Sequence, residues 1–338
     1  MIDLLVAGGG PAGLVTALHA ARAGLEAVVL EPRPGAIDKA CGEGLMPHTL
    51  RQLAALGVSP PGRPLRGIAY LDARRQVQSD FRSGSGRGVR RLLLHDALTA
   101  AVRAAGVRIE CGEVATVSQD ATSVRAGGMR ARYLAAADGL HSPIRRSLGL
   151  GLPSNGPRRW GIRRHVAIAP WSEYVEVHWG PAAEAYVTPV SDSCVGVAIL
   201  SSRRGGFDAH LGAFAQVAGR LDGATHGTDL AAGPLRQRVR SRVAGRVLLV
   251  GDAAGYVDAL TGEGLGLAFG AAELLVDCIV QNRTTHYDRE WRRMSRRYRL
   301  LTSGLLQASR HELLRSRLVP AVDRLPSLFG TIVNQLAD

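Results

Sequence analysis

The chain has 338 residues, of which 46% are hydrophobic and 21% charged, a balance that excludes a mainly disordered protein and allows two domains or one with a large insertion. Four scattered cysteines without a C-x-x-C pair exclude a disulfide framework and the usual zinc patterns, so no metal is expected. The net charge of +13 is arginine charge, Lys39 being the only lysine; phosphate contacts give no reason to exclude lysine, so no nucleic-acid partner is expected and the bias reads as that of a GC-rich genome.

Ile2–Ala7 is a short apolar run suited to a buried parallel strand. Asp3 stands where a signal peptide would carry basic residues, and no apolar run reaches the ~20 residues of a membrane span, so a cytoplasmic protein is expected. Gly8-Gly9-Gly10-Pro11-Ala12-Gly13 follows, then a helical pattern over 14–23, a second strand over 26–30 and Glu31. Strand, G-x-G-x-x-G, helix, strand and acid make a dinucleotide fingerprint. Gly8 permits the tight turn, Gly10 lets a pyrophosphate approach the backbone, and Gly13 lets helix and strand pack closely. The helix N-terminus faces the phosphates, and Glu31 can accept the ribose hydroxyls.

Residues 66–82 alternate about an Asp72-Ala73-Arg74-Arg75 turn and read as a β-hairpin. A strand over 133–137 ends in Asp138-Gly139. Four strand-like runs fill 158–201 and predict an antiparallel sheet, with a helix over 207–221 covering its outer face. A strand over 246–250 ends in Gly251-Asp252, and Gly262 to Gly266 opens a helix over 267–278. Both aspartates thus sit at the carboxyl ends of parallel strands, where open α/β sheets bind ligands. Residues 288–310 read as one long helix with Arg289, Arg292, Arg293, Arg296 and Arg297 on one face; over 288–300 this basic face suits a solvated surface, or peripheral contact with an anionic membrane or an acidic carrier protein. The tail is expected to form short helices broken at Pro320 and Pro326.

These motifs, in this order, resemble the FAD-dependent hydroxylases of the p-hydroxybenzoate hydroxylase fold, within the superfamily that includes the geranylgeranyl reductases. Arg91-Leu92-Leu93-Leu94-His95-Asp96-Ala97-Leu98 resembles that family's R-x-x-L-x-x-x-L helix start, and Lys39-Ala40-Cys41-Gly42-Glu43-Gly44-Leu45 is similar to the K-x-C-G-x-G-L stretch of the reductase branch. The resemblance implies an α/β protein: a Rossmann-like FAD-binding domain with a parallel sheet (1–65, 83–157 and 236–287), an inserted antiparallel substrate domain (66–82 and 158–235) and a C-terminal helical region (288–338). It implies bound FAD, held by Gly8, Gly10, Pro11, Ala12, Gly13, Glu31, Arg33, Cys41, Gly42, Arg91 (Arg90 if the register shifts by one), Asp138, Gly139, Gly251, Asp252, Gly262, Gly264, Leu265 and Gly266. NAD(P)H would be a transient reductant, since no second fingerprint exists.

Two features depart from the family. Ala259 replaces a common proline, and Glu184-Ala185-Tyr186-Val187-Thr188-Pro189 does not keep the reductase branch's Y-x-W-x-F-P motif. The pocket is expected between the inserted sheet and the flavin, lined by Arg163, Trp179, Tyr186 and Thr188, with His178 a further candidate. His165, Tyr186 and Cys41 are the catalytic candidates, His165 as a general base for a phenol. The first expectation is a monooxygenase that uses NAD(P)H and O₂ to hydroxylate an aromatic or polyketide-type substrate through a flavin hydroperoxide. The alternative is a C=C reductase of a prenyl or polyene chain; a non-enzymatic flavin-binding redox sensor is the third reading.

Overall fold

The computed structural model describes residues 1–154 and 158–337, so the domain boundary expected at residue 157 lies outside the described residues. Ile2–Ala7 and Ala27–Glu31 pair in parallel, joined by the crossover helix Pro11–Arg22. The sheet runs in the order Val243–Ala244, Val247–Leu249, Met129–Ala136, Ile2–Ala7, Ala27–Glu31, Arg108–Cys111, and along this order only the first pair is antiparallel. In register, Ala7 lies beside Ala136, and Ala136 beside Leu249. The three central strands therefore end level with one another, and Gly8, Asp138 and Gly251 meet at one carboxyl edge of the sheet. Leu4, Leu5, Val6, Leu134 and Leu248 are buried there beneath Leu14 of the crossover helix and Phe269 of Gly264–Val280.

The second sheet has seven strands, in the order Leu230–Ala232, Trp160–Val166, Cys194–Ser201, Ala183–Ser191, Tyr174–Trp179, Gly67–Leu71, Gln76–Asp80. The expected hairpin joins the expected four strands, and Asp72 holds its turn by accepting from the N–H groups of Arg74 and Arg75. One pairing departs from the antiparallel expectation: Gly67–Leu71 runs parallel to Tyr174–Trp179. These strands come from separate stretches of chain, so no hairpin fixes their relative direction.

Alternation gives the sheet two apolar faces. Ala185, Val187, Val197 and Ile199 face Phe207, Phe214 and Val217. The helix expected over 207–221 is two, Phe207–Leu211 and Ala215–Leu221, separated so that Phe214 can pack over Gly180. On the other face Val177, Trp179 and Tyr186 meet Leu306, Val319, Phe329 and Val333 of the C-terminal helices. At about 1.5–3 kcal/mol per buried side chain, those four residues fasten the C-terminal helices to the inserted sheet.

The long helix expected over 288–310 is interrupted at Ser295, giving Tyr287–Met294 and Arg296–Arg310. The two pieces serve different cores: Trp291 is buried with the parallel sheet, and Leu306 with the inserted one. Pro320 does not break the tail but lies inside Glu312–Arg324, whereas Pro326 opens Pro326–Ala337. Among the described residues no helix is long and apolar enough to cross a membrane.

Candidate functional site

The fingerprint loop is tight where glycine is required and open where a ligand would come. Gly8 has φ +108°, and a Cβ on Gly13 would lie 1.9 Å from the Gly8 carbonyl oxygen. A Cβ on Gly10 would meet nothing within 4 Å. Gly10 caps Pro11–Arg22 without a side-chain bond, and Pro11 occupies the first helical turn, so the N–H groups of this end are free to face an anion. Glu31 accepts from Gly9 N–H at 2.8 Å and from Arg33 Nε at 2.7 Å. Burial pushes its carboxyl up, but Arg33 and the Gly9 N–H outweigh that and hold it below its ordinary value. His95, to which the sequence reading gave no role, braces the loop from the far side, its Nε2 lying 2.9 Å from the Gly9 carbonyl oxygen.

The other motifs converge on this loop. A Cβ on Gly251 would lie 2.7 Å from Ala12 Cβ, which sets Asp252 beside the fingerprint helix. Lys39 lies against Gly139 and shares the space with Arg33, Arg91, Asp252 and Glu31. Burial, then the two arginines, push the Lys39 ammonium down, while Asp252 and Glu31 oppose them. Burial raises the Asp252 carboxyl against the pull of Arg91, Lys39 and Arg145. Arg91 opens Arg91–Ala104 as expected; its buried Nε has no hydrogen-bond partner. Ser142 caps the helix Pro143–Ser147, Asp138 Oδ2 accepts from Ile144 N–H of its first turn at 3.0 Å, and the buried Asp138 Oδ1 is unpartnered.

Arg145, also without an assigned role in the sequence reading, ties the two aspartate motifs together. It donates to the carbonyls of Leu140 (2.8 Å) and Ala253 (3.1 Å) and to Gln237 Oε1 (2.8 Å).

Under the inserted sheet a second network fixes the segment 38–45. The register sets Arg163 opposite Ala198, which lies opposite Tyr186; His165 and Thr188 both lie opposite Gly196. All four therefore share one face, as the alternation predicts within each strand. Arg163 donates to Asp38 and, at 2.8 Å, to His165 Nδ1. His165 Nε2 donates to Glu43 Oε2 at 2.7 Å, and Glu43 Oε1 accepts from Arg91 N–H at 2.9 Å. Thr188 donates to the Gly42 carbonyl at 2.8 Å. Glu43 is buried and holds φ +60°, a left-handed backbone that costs a non-glycine residue roughly 1–2 kcal/mol. Cys41 lies within this segment, where burial pushes its thiol up despite the pull of Arg91.

The turn leading into Gly264–Val280 is anchored to the same face. Tyr186 donates to the Leu260 carbonyl at 2.9 Å, and Arg159 joins Glu184 (2.5 Å) to Asp258 (3.3 Å). Trp179 stacks edge-on against Tyr70, which meets Phe329. His178 is a correction: alternation turns it to the opposite face, where it pairs with Glu176 at 2.9 Å. Gly262 (φ +71°) abuts Met46, Gly264 packs on Tyr256, and a Cβ on Gly266 would strike His48, while Leu265 packs at the edge of the parallel-sheet core.

Glu263, just before Gly264–Val280, is buried beside His48 (3.3 Å), and burial pushes its carboxyl up to about 8. The unfolded chain gives up this proton near 4.5 and the folded one near 8, so stability falls as pH rises through that window. Glu263→Gln keeps the neutral shape. It should melt level with the parent near pH 4.5 and above it near pH 8, by at least the ~2–4 °C that 1 kcal/mol produces in a large domain. A melting gap that does not widen with pH would refute this reading of the carboxyl.

An open cradle at Gly10, the Glu31 carboxylate beside it, and the unpartnered Arg91 Nε and Asp138 Oδ1 around one carboxyl edge fit an adenine dinucleotide. The class is that of FAD-dependent flavoproteins with a Rossmann-like domain and an inserted sheet. The family model described as FAD binding domain matches residues 1–282, and the chain belongs to that family; it is an FAD-dependent oxidoreductase. A menaquinone reductase of Mycobacterium tuberculosis is 29% identical over 81% of this chain and 76% of its own. Digeranylgeranylglycerophospholipid reductase 1 of Methanopyrus kandleri is 28% identical over 84% and 82%. A 3-(3-hydroxy-phenyl)propionate/3-hydroxycinnamic acid hydroxylase of Mycobacterium avium is 28% identical over 47% and 33%. Among solved structures, a flavoprotein/dehydrogenase of Cytophaga hutchinsonii superposes with a TM-score of 0.80 at 17% identity, covering 100% of both chains. The anhydrotetracycline hydroxylase of Streptomyces rimosus has a TM-score of 0.76 at 21% identity, covering 99% of this chain and 75% of its own. At these identities the structural likenesses establish the fold.

Proposed function

We propose that this oxidoreductase reduces a carbon–carbon double bond in a prenyl or polyene chain. The observation that carries this reading is Cys41, a half-buried thiol in a segment fixed by Glu43, His165, Arg163 and Thr188. Support comes from the two relatives aligned over 81% and 84% of the chain, named as a menaquinone reductase and a digeranylgeranylglycerophospholipid reductase. The hydroxylase relative aligns over 47%.

When bound and reduced, FAD would supply a hydride. The other alkene carbon needs a proton, and Cys41 Sγ holds one, because burial keeps the thiol protonated at neutral pH. Arg163, His165, Thr188 and Tyr186 act as positioning residues: their polar groups fix the segment 38–45 and the turn at Leu260 around the cofactor.

The FAD-loaded protein, reduced anaerobically with NADH or NADPH, is mixed with a geranylgeranylated lipid or a prenylated quinone, and the product is weighed by mass spectrometry. A gain of two hydrogens without O₂ is expected. No anaerobic product, with one labelled oxygen atom entering a phenolic substrate in air, would overturn the proposal in favour of hydroxylation.

A further inference from the structure

A cavity of about 620 Å³ lies beyond the Gly251-Asp252 turn, between the helix Gly264–Val280 and the pair Tyr287–Met294 and Arg296–Arg310. Two arginine-rich stretches converge on it. In the run R-Q-R-V-R-S-R, Arg236, Arg238, Arg240 and Arg242 line the cavity together with Gln237 and Val239. From the helices, Arg292, Arg296 and Arg299 face it at a spacing of four and three.

Seven arginines thus surround one space, and few acids answer them. Asp288 pairs with Arg242 and Arg292, both at 2.8 Å. Asp252 is the one acidic residue in the lining. Arg236, Arg240 and Arg296 make no side-chain hydrogen bond or ion pair among the described residues. Burial, then mutual repulsion, presses on this group: Arg242 is pushed down against Asp288 with Arg292 and Arg299 adding to the effect, and Arg299 is pushed down by burial, Arg292 and Arg236. Arg242 also stacks on the Trp291 ring, 3.5 Å from its centroid, and its buried Nε is unpartnered.

We propose that this cavity binds a phosphate or diphosphate ester. A carboxylate brings one charge, whereas a diphosphate brings several, and the planar guanidinium matches phosphate oxygens in pairs. The volume greatly exceeds that of a phosphate, and Leu267, Ala268, Ala271 and Tyr256 form an apolar wall for the rest of the ester. None of Arg163, His165, Trp179, Tyr186 or Thr188 lines this space, nor does any residue of the fingerprint loop; Gly251, Asp252 and Gly264 do, so the cavity adjoins the site expected for the cofactor, and the test is made with that site filled.

The test is calorimetric titration of the FAD-loaded protein with inorganic pyrophosphate in about 0.1 M salt, where long-range charge effects are screened beyond ~10 Å. Saturable binding is expected, weakened at least about tenfold in the Arg236→Ala/Arg296→Ala double variant; neither side chain holds a partner in the fold, so folding should be kept. Arg289→Ala/Arg293→Ala removes exposed charge of the same helical region from outside the lining and should leave binding unchanged. Displacement of pyrophosphate by NADPH but not NADH would place the reductant's extra phosphate here. Displacement by a short-chain phosphatidic acid would place a phospholipid headgroup here. Absence of saturable binding, or equal losses in the two double variants, would overturn the proposal. The titration involves no turnover, so its failure leaves the reductase reading standing, and the reverse holds too.

Discussion

Gly10→Ala is expected to fold like the parent chain and to purify largely without FAD. The added methyl group meets nothing of the protein within 4 Å, so packing has no reason to change. It does occupy the opening at the N-terminus of Pro11–Arg22, where a pyrophosphate must approach the backbone. Overpacking costs roughly 1–3 kcal/mol, or about 5- to 150-fold in FAD affinity. Gly13→Ala separates the two effects: its methyl group would lie 1.9 Å from the Gly8 carbonyl oxygen, so that variant should lose stability as well as cofactor. Flavin absorbance per protein and the melting temperature of each apoprotein decide the matter. A Gly10→Ala protein that retains full flavin would remove the loop from the cofactor site.

The contrast between those two glycines also marks what sequence can express. Strand, turn, helix and acid at fixed offsets are local, so Ile2–Ala7, the fingerprint, Glu31 and the Arg91 helix start were all readable from period and spacing. The inserted sheet was readable for the same reason, down to the shared face of Arg163 with His165 and of Tyr186 with Thr188. Sequence did not reveal what those side chains touch. Their partners lie far away in the chain: Asp38 for Arg163, Glu43 for His165, Leu260 for Tyr186. Residues expected to meet a substrate also hold the segment 38–45 and the Leu260 turn through these bonds. Arg145 and His95 were overlooked because each acts on backbone carbonyls, which leave no mark in composition. The Arg236 to Arg242 alternation was visible, yet its meaning required the helix that completes the cavity. The interruption at Ser295 carries no glycine or proline signal; it follows from two cores competing for one helix.

Cys41→Ser should leave flavin reduction by NAD(P)H within about twofold of the parent and slow alkene reduction by roughly 10²–10⁴-fold, the usual worth of a positioned proton donor. Serine nearly matches the size of the thiol but gives up its proton far less readily, so positioning is preserved and proton supply is not. Cys111→Ser, at an exposed thiol on the edge strand Arg108–Cys111, is the control and should be silent. The pH profile adds a readout that a structural role would not move. Burial pushes the Cys41 thiol up, so product formation should stay level through neutral pH and fall on the alkaline side as the proton is lost. Cys41→Ser should lack that alkaline limb. If flavin reduction and product formation fall together in Cys41→Ser, the thiol acts by seating the cofactor, not by supplying a proton. If neither changes, Cys41 is a packing residue and the proton must come from another group near the cofactor. Glu263, whose carboxyl stays protonated up to about pH 8, is then the next side chain to replace.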